Sequence, residues 1–162
     1  MTECDDAFGA VSVCPTKLPR VDAPYKIRAF GTSNVALLDV SSSAPYPGMT
    51  RRNAPPRFAH VVIKVGSLRD ALAFPMPTET GESPPSRKES TEPIHLGTYS
   101  WGTKHGTLVL APRYPRGGID GGHLVFVWNE GTNAAVMSLH AWVPLRDGIE
   151  TLKHVVSSIP AD

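Results

Sequence analysis

Apolar and polar residues alternate along two stretches near the C-terminal end of the chain, as they do in half-buried β-strands. The stretches are His123–Trp128 and Ala134–Trp142, and they flank the turn-forming sequence Asn129-Glu-Gly-Thr-Asn133. Two strands joined by a short glycine-containing turn form a β-hairpin. The pattern therefore predicts a hairpin over residues 123–142.

The register of this hairpin follows from its two faces. A turn at Gly131-Thr132 and a wider loop over 130–133 both pair Val125 with Ser138, and His123 with His140. One face is then wholly apolar and the other is mixed, so a slip by one residue would bring unlike faces together. The apolar face holds Leu124, Phe126, Trp128, Ala135, Met137, Leu139 and Ala141, and the mixed face holds His123, Val125, Val127, Asn129, Val136, Ser138, His140 and Trp142.

A helix is predicted directly after the hairpin. Pro144 suits the first turn of a helix, and Pro160 cannot continue one. Between them a single apolar stripe recurs at helical spacing, although Gly148 weakens the helix by about 1 kcal/mol relative to Ala. The stripe is Leu145, Ile149, Leu152, Val155, Val156 and Ile159. We expect it to pack on the apolar hairpin face.

Shorter patterns along the rest of the chain complete the predicted fold. Strands are expected at 25–30, 35–40, 58–65, 94–101 and 107–111, with a short helix over 68–74. The prediction is an α+β domain: an antiparallel sheet of about five to seven strands with the C-terminal helix packed on one face. Residues 1–24 are predicted to be an irregular arm and 25–162 a single domain, with an exposed proline-rich loop at 75–93.

Composition and charge narrow the class of protein. The chain has 162 residues, of which 41% are hydrophobic and 19% charged, which suits one domain with its own core. It contains no run of about 18 apolar residues, so no transmembrane helix is predicted. A net charge of +1 and 7% aromatic residues argue against a nucleic-acid partner. No cofactor is indicated, and the expected partner is an unidentified protein or small-molecule ligand.

The two cysteines bear on the cellular compartment. Cys4 and Cys14 are the only cysteines, and their spacing is not that of a zinc site built on thiolates. In an oxidising compartment they would close a small disulfide loop, and in a reducing one they would be two free thiols. We expect the disulfide and an extracytoplasmic or secreted protein, with a cytoplasmic location as the alternative.

Histidines supply one candidate metal site. His123 and His140 are directly opposed in the predicted hairpin, with Cβ atoms about 5 Å apart. A metal ion would need a third ligand, for which His60, His95 and Asp120 are the candidates. The alternative is a histidine pair that simply packs across two strands.

Catalytic motifs are missing from the sequence. It contains neither a G-x-S-x-G nor an H-E-x-x-H motif, so no catalytic residue is assigned. The loop 112–122 carries Arg113, Arg116 and four glycines, a combination that holds anions in some proteins. The alternative is that this loop only connects two strands.

The C-terminal unit also resembles a known group of proteins. The segment from His123 to Ile159, with its Trp-bearing strand, tight turn, returning strand and helix, is similar to the closing unit of extracytoplasmic domains linked to lipoproteins and anti-sigma factors. It resembles lipoprotein-carrier-like and PsbP-like sheets more loosely. The resemblance covers about 40 residues and implies an exported module that binds or senses something. It carries no catalytic residue.

These observations together favour a non-catalytic binding or sensing domain. The mixed face is too apolar for open solvent and too polar for a dry core, which makes it the expected ligand or partner site. Its candidate residues are Val125, Val127, Val136, His140 and Trp142. In one alternative, structure from the N-terminal half covers this face. In two others, the protein is a metal protein or metal-dependent enzyme that uses His123 and His140, or a structural or assembly subunit.

Overall fold

The computed structural model describes Cys4, Asp6, Phe8 and residues 13–21, 24–31, 35–41, 59–69, 93–111, 123–141 and 143–161. These residues contain seven strands and, after the last strand, one long helix. The strands are β1 (Lys26–Gly31), β2 (Val35–Ser41), β3 (Ala59–Gly66), β4 (Ile94–Trp101), β5 (Lys104–Ala111), β6 (His123–Glu130) and β7 (Asn133–Ala141), and the helix is α1 (Leu145–Val156).

The seven strands form one antiparallel sheet in the order β1-β2-β3-β7-β6-β5-β4. It consists of two meanders, β1 to β3 and β4 to β7, which are joined where β3 pairs with β7. Helix α1 packs against β6, β7 and β4. The predicted α+β class, with an antiparallel sheet and a C-terminal helix on one face, is confirmed.

The β6–β7 hairpin has the predicted register. Val125 pairs with Ser138, and Trp128 pairs with Ala135. The turn contains Gly131 at φ +61°, a conformation that glycine adopts without steric cost. The apolar face of the hairpin was therefore assigned correctly from its sequence.

The β4–β5 connection is shorter than the predicted five-residue loop. Lys104 pairs with Trp101 at the end of the hairpin, so only two residues form the turn. Gly102 makes this possible with φ +60°. Further along β4, the register shifts between His95 and Gly97, a bulge that the alternation of the sequence did not indicate.

The core of the protein lies on one side of the sheet, which we call the first face. Phe126 is fully buried and stacks on Trp101, with ring centroids 4.4 Å apart. From the helix, Leu152 and Val156 join the same buried cluster, as predicted. Leu145 is different: it is 47% exposed, because it lies in the first turn of α1, and its assignment to the buried stripe is wrong.

The N-terminal arm packs into this core. Cys4, Asp6 and Phe8 are helical, which the prediction of an irregular arm missed, whereas residues 13–21 contain no helix or strand. Cys4 and Phe8 are buried in the cluster that contains the helix and the first face. The predicted disulfide between Cys4 and Cys14 is present, with Cα atoms 5.8 Å apart.

Several predictions fall outside the described residues. Leu68 and Arg69 are helical, as predicted, but residues 70–74 of the short helix are not described. The same applies to the proline-rich loop 75–93 apart from Pro93, and to the loop 112–122. Across the described part of the chain, no helix is both long and apolar enough to span a membrane.

Candidate functional site

The mixed face of the predicted hairpin continues onto the neighbouring strands of the sheet, and we call its part on β3, β7, β6 and β5 the second face. Because directly opposed residues point to the same side of a sheet, the strand registers define its members. They include His60, Val62 and Lys64 on β3, Ala134, Val136, Ser138 and His140 on β7, His123, Val125 and Val127 on β6, and Val109 and Ala111 on β5.

The second face is buried, unlike an open binding surface. Among the predicted ligand residues, Val125, Val136 and His140 are no more than 2% exposed, and Val127 is half-buried. The fifth predicted residue, Trp142, lies outside the described residues. A ligand bound on this face would therefore be enclosed by protein rather than held on an exposed sheet.

Three histidines lie side by side at one end of this face, and we call them the histidine row. His60 on β3 pairs directly with His140 on β7. The β6–β7 register, which pairs Leu124 with Leu139, places His123 on the other side of His140. All three side chains are buried. Sequence reasoning had placed His123 beside His140, but His60 only as one of three possible neighbours.

The rings of the histidine row converge. The ring centroids of His123 and His140 are 4.7 Å apart, and those of His60 and His123 are 6.2 Å apart. Strands separated by one intervening strand are about 9.5 Å apart. The outer two rings therefore lean toward each other above the central strand, so the three imidazoles form one polar cluster.

Burial strongly affects the acid–base chemistry of the row. Burial lowers the pKa of His123 well below its ordinary value of 6.5, and the nearby His140 and His60 lower it further. An imidazole in this environment is uncharged at neutral pH. It then offers one N–H donor and one nitrogen acceptor to a ligand or to a neighbouring group.

The predicted metal ligands can be compared with this geometry. The structure brings His123, His140 and His60 together, whereas His95 is exposed on the edge strand β4 and Asp120 is not described. Within the described ranges, no three His, Cys, Asp or Glu side chains are arranged to hold one metal ion. Metal binding by the row stays a prediction.

Lys64 is a second buried polar group on this face that sequence reasoning did not assign to a site. It lies opposite Val136 and is 3% exposed. Burial lowers the pKa of Lys64 from 10.5 to about 8. The available signal was a single lysine in β3 whose neighbours along the strand, Ile63 and Val65, are apolar, where both faces of the strand are buried.

The predicted anion-binding loop adjoins the histidine row in the chain. Arg113 and Arg116 lie outside the described residues, but both ends of their loop are described. Ala111 at the end of β5 pairs with His123 at the start of β6. The described residues on either side of this loop therefore lie beside the histidine row. Anion binding by Arg113 and Arg116 stays a prediction.

A serine–histidine contact lies at the opposite, exposed end of the sheet. Ser100 Oγ and His105 Nδ1 are 2.9 Å apart across β4 and β5. Catalytic pairs of this kind need a third group that orients the histidine. In the described part of the chain, no acid or amide hydrogen-bonds to His105.

Comparison of the chain with known protein families, with curated proteins and with solved structures finds no match. The resemblance of the C-terminal unit to lipoprotein-linked extracytoplasmic domains therefore stays a prediction.

Proposed function

We propose that the protein is a non-catalytic binding or sensing domain of an extracytoplasmic compartment, and that its ligand site is the second face. The observation that carries this proposal is the histidine row, which is buried on the second face where the two meanders join. Buried polar groups lose their hydration and need partners inside the protein, a requirement that an apolar residue of similar size does not have. The three imidazoles and Lys64 on the second face therefore favour a binding role for this face over a purely structural one.

The disulfide supports the proposed compartment. Disulfides persist in oxidising environments and are rare in the cytosol of most organisms. Cys4 is fully buried and Cys14 half-buried, so the pair is part of the packed core rather than an exposed accidental contact. Counting free thiols in protein taken directly from its native cell tests this part: two free thiols would contradict it.

The lining of the second face defines the ligand class. Val125 and Val136 provide an apolar floor, and the adjacent imidazoles provide hydrogen-bond donors and acceptors. A small molecule with an apolar body and one hydrogen-bonding end matches both surfaces. Because the face is buried, such a ligand would be small and enclosed.

A thermal-shift screen of small amphipathic compounds tests this site. The screen uses the wild type, His140→Gln in the row, and His154→Gln on the exposed side of α1 as the matched control. We expect at least one compound to raise the Tm of the wild type and of His154→Gln, but not of His140→Gln. Equal shifts in all three proteins would place binding elsewhere and contradict the proposal.

A second candidate function is metal binding by the same histidines. The observation that favours it is that His60 joins the predicted pair of His123 and His140. Binding would require the rings to turn, since no three such side chains among the described residues are arranged for a metal ion. Titration with Zn²⁺ and Cu²⁺ distinguishes this candidate: the wild type would take up one ion and His140→Ala none. Equal, negligible uptake by both proteins would rule it out.

A further inference from the structure

The N-terminal arm is attached to the rest of the protein without a covalent cross-link. Its disulfide joins two residues of the arm itself, Cys4 and Cys14, and no residue of the sheet or helix. Even so, Cys4, Phe8 and Val13 are 0%, 8% and 0% exposed within the main buried cluster. The disulfide therefore shapes the arm, and non-covalent contacts hold the arm in place.

A short set of hydrogen bonds fixes the arm to the end of α1, and we call it the latch. Thr16 donates from its backbone N–H and from its hydroxyl to the carbonyl oxygen of Ser158, at 3.2 and 2.9 Å. The backbone N–H of Lys17 donates to the hydroxyl oxygen of Ser158 at 3.0 Å. These bonds join positions more than 140 residues apart, so they form only when the arm is docked.

We infer that the arm is a redox-controlled strap, docked while the Cys4–Cys14 disulfide is intact and released when it is reduced. The disulfide closes a small loop and so removes part of the conformational entropy that a free arm would lose on docking. The reduced arm, which has no closed loop, loses this additional entropy when it docks. The sheet and α1 have their own strand pairing and packing, and they keep their structure when the arm leaves.

The reduction is a thiol–disulfide exchange with a dithiol. A thiolate of the dithiol attacks the sulfur of Cys14, the less buried partner, and forms a mixed disulfide while Cys4 leaves as a thiolate that takes up a proton. The second thiol of the reductant then displaces Cys14. The protein gains two thiols, and the reductant becomes a disulfide.

Release of the strap would expose a surface that the oxidised protein hides. The arm shares one buried cluster with Leu152, Val155 and Val156 of α1, so its departure uncovers apolar side chains at the end of the helix. At the same time the carbonyl oxygen of Ser158 loses the two bonds from Thr16, and its hydroxyl oxygen loses the bond from Lys17 but still donates to the carbonyl oxygen of Val155.

Limited trypsin digestion tests the strap. Lys17 and Arg20 are exposed cleavage positions in the arm, whereas Lys26 in β1 and Lys153 in α1 report on the sheet and the helix. We expect dithiothreitol to speed cleavage after Lys17 and Arg20 by about tenfold to a hundredfold. Cleavage after Lys26 and Lys153 should change by less than about twofold.

Two variants make the result specific to the strap. Cys4→Ser/Cys14→Ser should be cleaved in the arm as fast as the reduced wild type, with or without dithiothreitol. Ser158→Ala keeps the disulfide but loses the side chain that accepts from Lys17, and should be cleaved after Lys17 a few-fold faster. Unchanged arm cleavage on reduction would overturn the inference. Equal acceleration at Lys26 and Lys153 would also overturn it, because the disulfide would then hold the whole fold.

Discussion

The two faces of the sheet are both buried, but their chemistry differs. The first face packs aromatic and aliphatic side chains against α1 and the arm, with Phe126 stacked on Trp101. The second face combines valines with the histidine row and Lys64. Equal burial therefore hides different chemistry: the first face is mainly hydrophobic and has one buried ion pair, Lys104–Glu130, whereas the second face holds three imidazoles and a lysine.

The largest effect should come from the first face. Phe126→Ala removes a fully buried ring between two tryptophans and should destabilise the protein by about 3–5 kcal/mol. Val125→Ala, at the next position on the opposite face, should cost only about 1.5 kcal/mol. Urea denaturation measures both. Equal losses would mean that the two faces contribute equally to packing.

The first face also contains a buried ion pair with identified partners. Lys104 Nζ and Trp128 Nε1 both donate to Glu130 Oε2, at 3.0 and 2.7 Å. Lys104→Met leaves the carboxylate of Glu130 buried without its cation and should cost about 3 kcal/mol. The double variant Lys104→Met/Glu130→Gln should recover at least about 1 kcal/mol of that loss, because a neutral amide still accepts from Trp128. A double variant less stable than the single one would contradict this account.

On the second face, Lys64 should make stability depend on alkaline pH. Burial lowers its pKa to about 8 in the folded protein, while the unfolded chain keeps the ordinary value of 10.5. Between these values the unfolded state binds more protons, so stability should rise as pH increases, by about 3 kcal/mol in all. Below pH 8 the side chain of Lys64 is charged in both states, so the full cost of burying that charge lowers the stability.

Urea denaturation between pH 7.5 and 9.5 measures this rise. Lys64→Met should abolish it, whereas Lys153→Met, which changes an exposed lysine of α1, should keep it. An identical rise in all three proteins would show that another group is responsible.

The histidine row should make stability depend on pH in the same direction, but in the acid range. The pKa of His123 is lowered in the folded state, so the unfolded chain takes up its proton first as the pH falls below 6.5. Stability should then decrease by up to about 1.4 kcal/mol per pH unit, and this loss should be absent at pH 7 and above. Comparing the wild type with His123→Gln between pH 7 and 5.5 measures it, with His154→Gln as the control. Parallel pH profiles for the wild type and His123→Gln would contradict the assignment.

Local patterns in the sequence predicted the parts of the fold that depend on neighbouring residues. The β6–β7 register could be predicted from the sequence because a one-residue slip would have exposed Phe126 and Met137. The pairing of β3 with β7 could not be predicted, because it joins segments about 75 residues apart and both strands have two buried faces. That pairing brings His60 to His140, so the third member of the histidine row could not be singled out beforehand.

The smallest effect should occur where the helix approaches the sheet. The sequence alone predicts that Gly148→Ala stabilises α1 by about 1 kcal/mol, since alanine is the better helix former. In the structure Gly148 is buried, and an added Cβ would lie 2.9 Å from Cδ1 of Leu124 on β6. That atom is the end of a flexible side chain, so a small rotation of Leu124 can relieve the contact at a cost that offsets most of the gain. We expect Gly148→Ala to change the free energy of unfolding by less than about 1 kcal/mol, whereas Gly148→Val should destabilise by about 1–3 kcal/mol. A full 1 kcal/mol gain for alanine would show that α1 does not depend on this close approach to the first face.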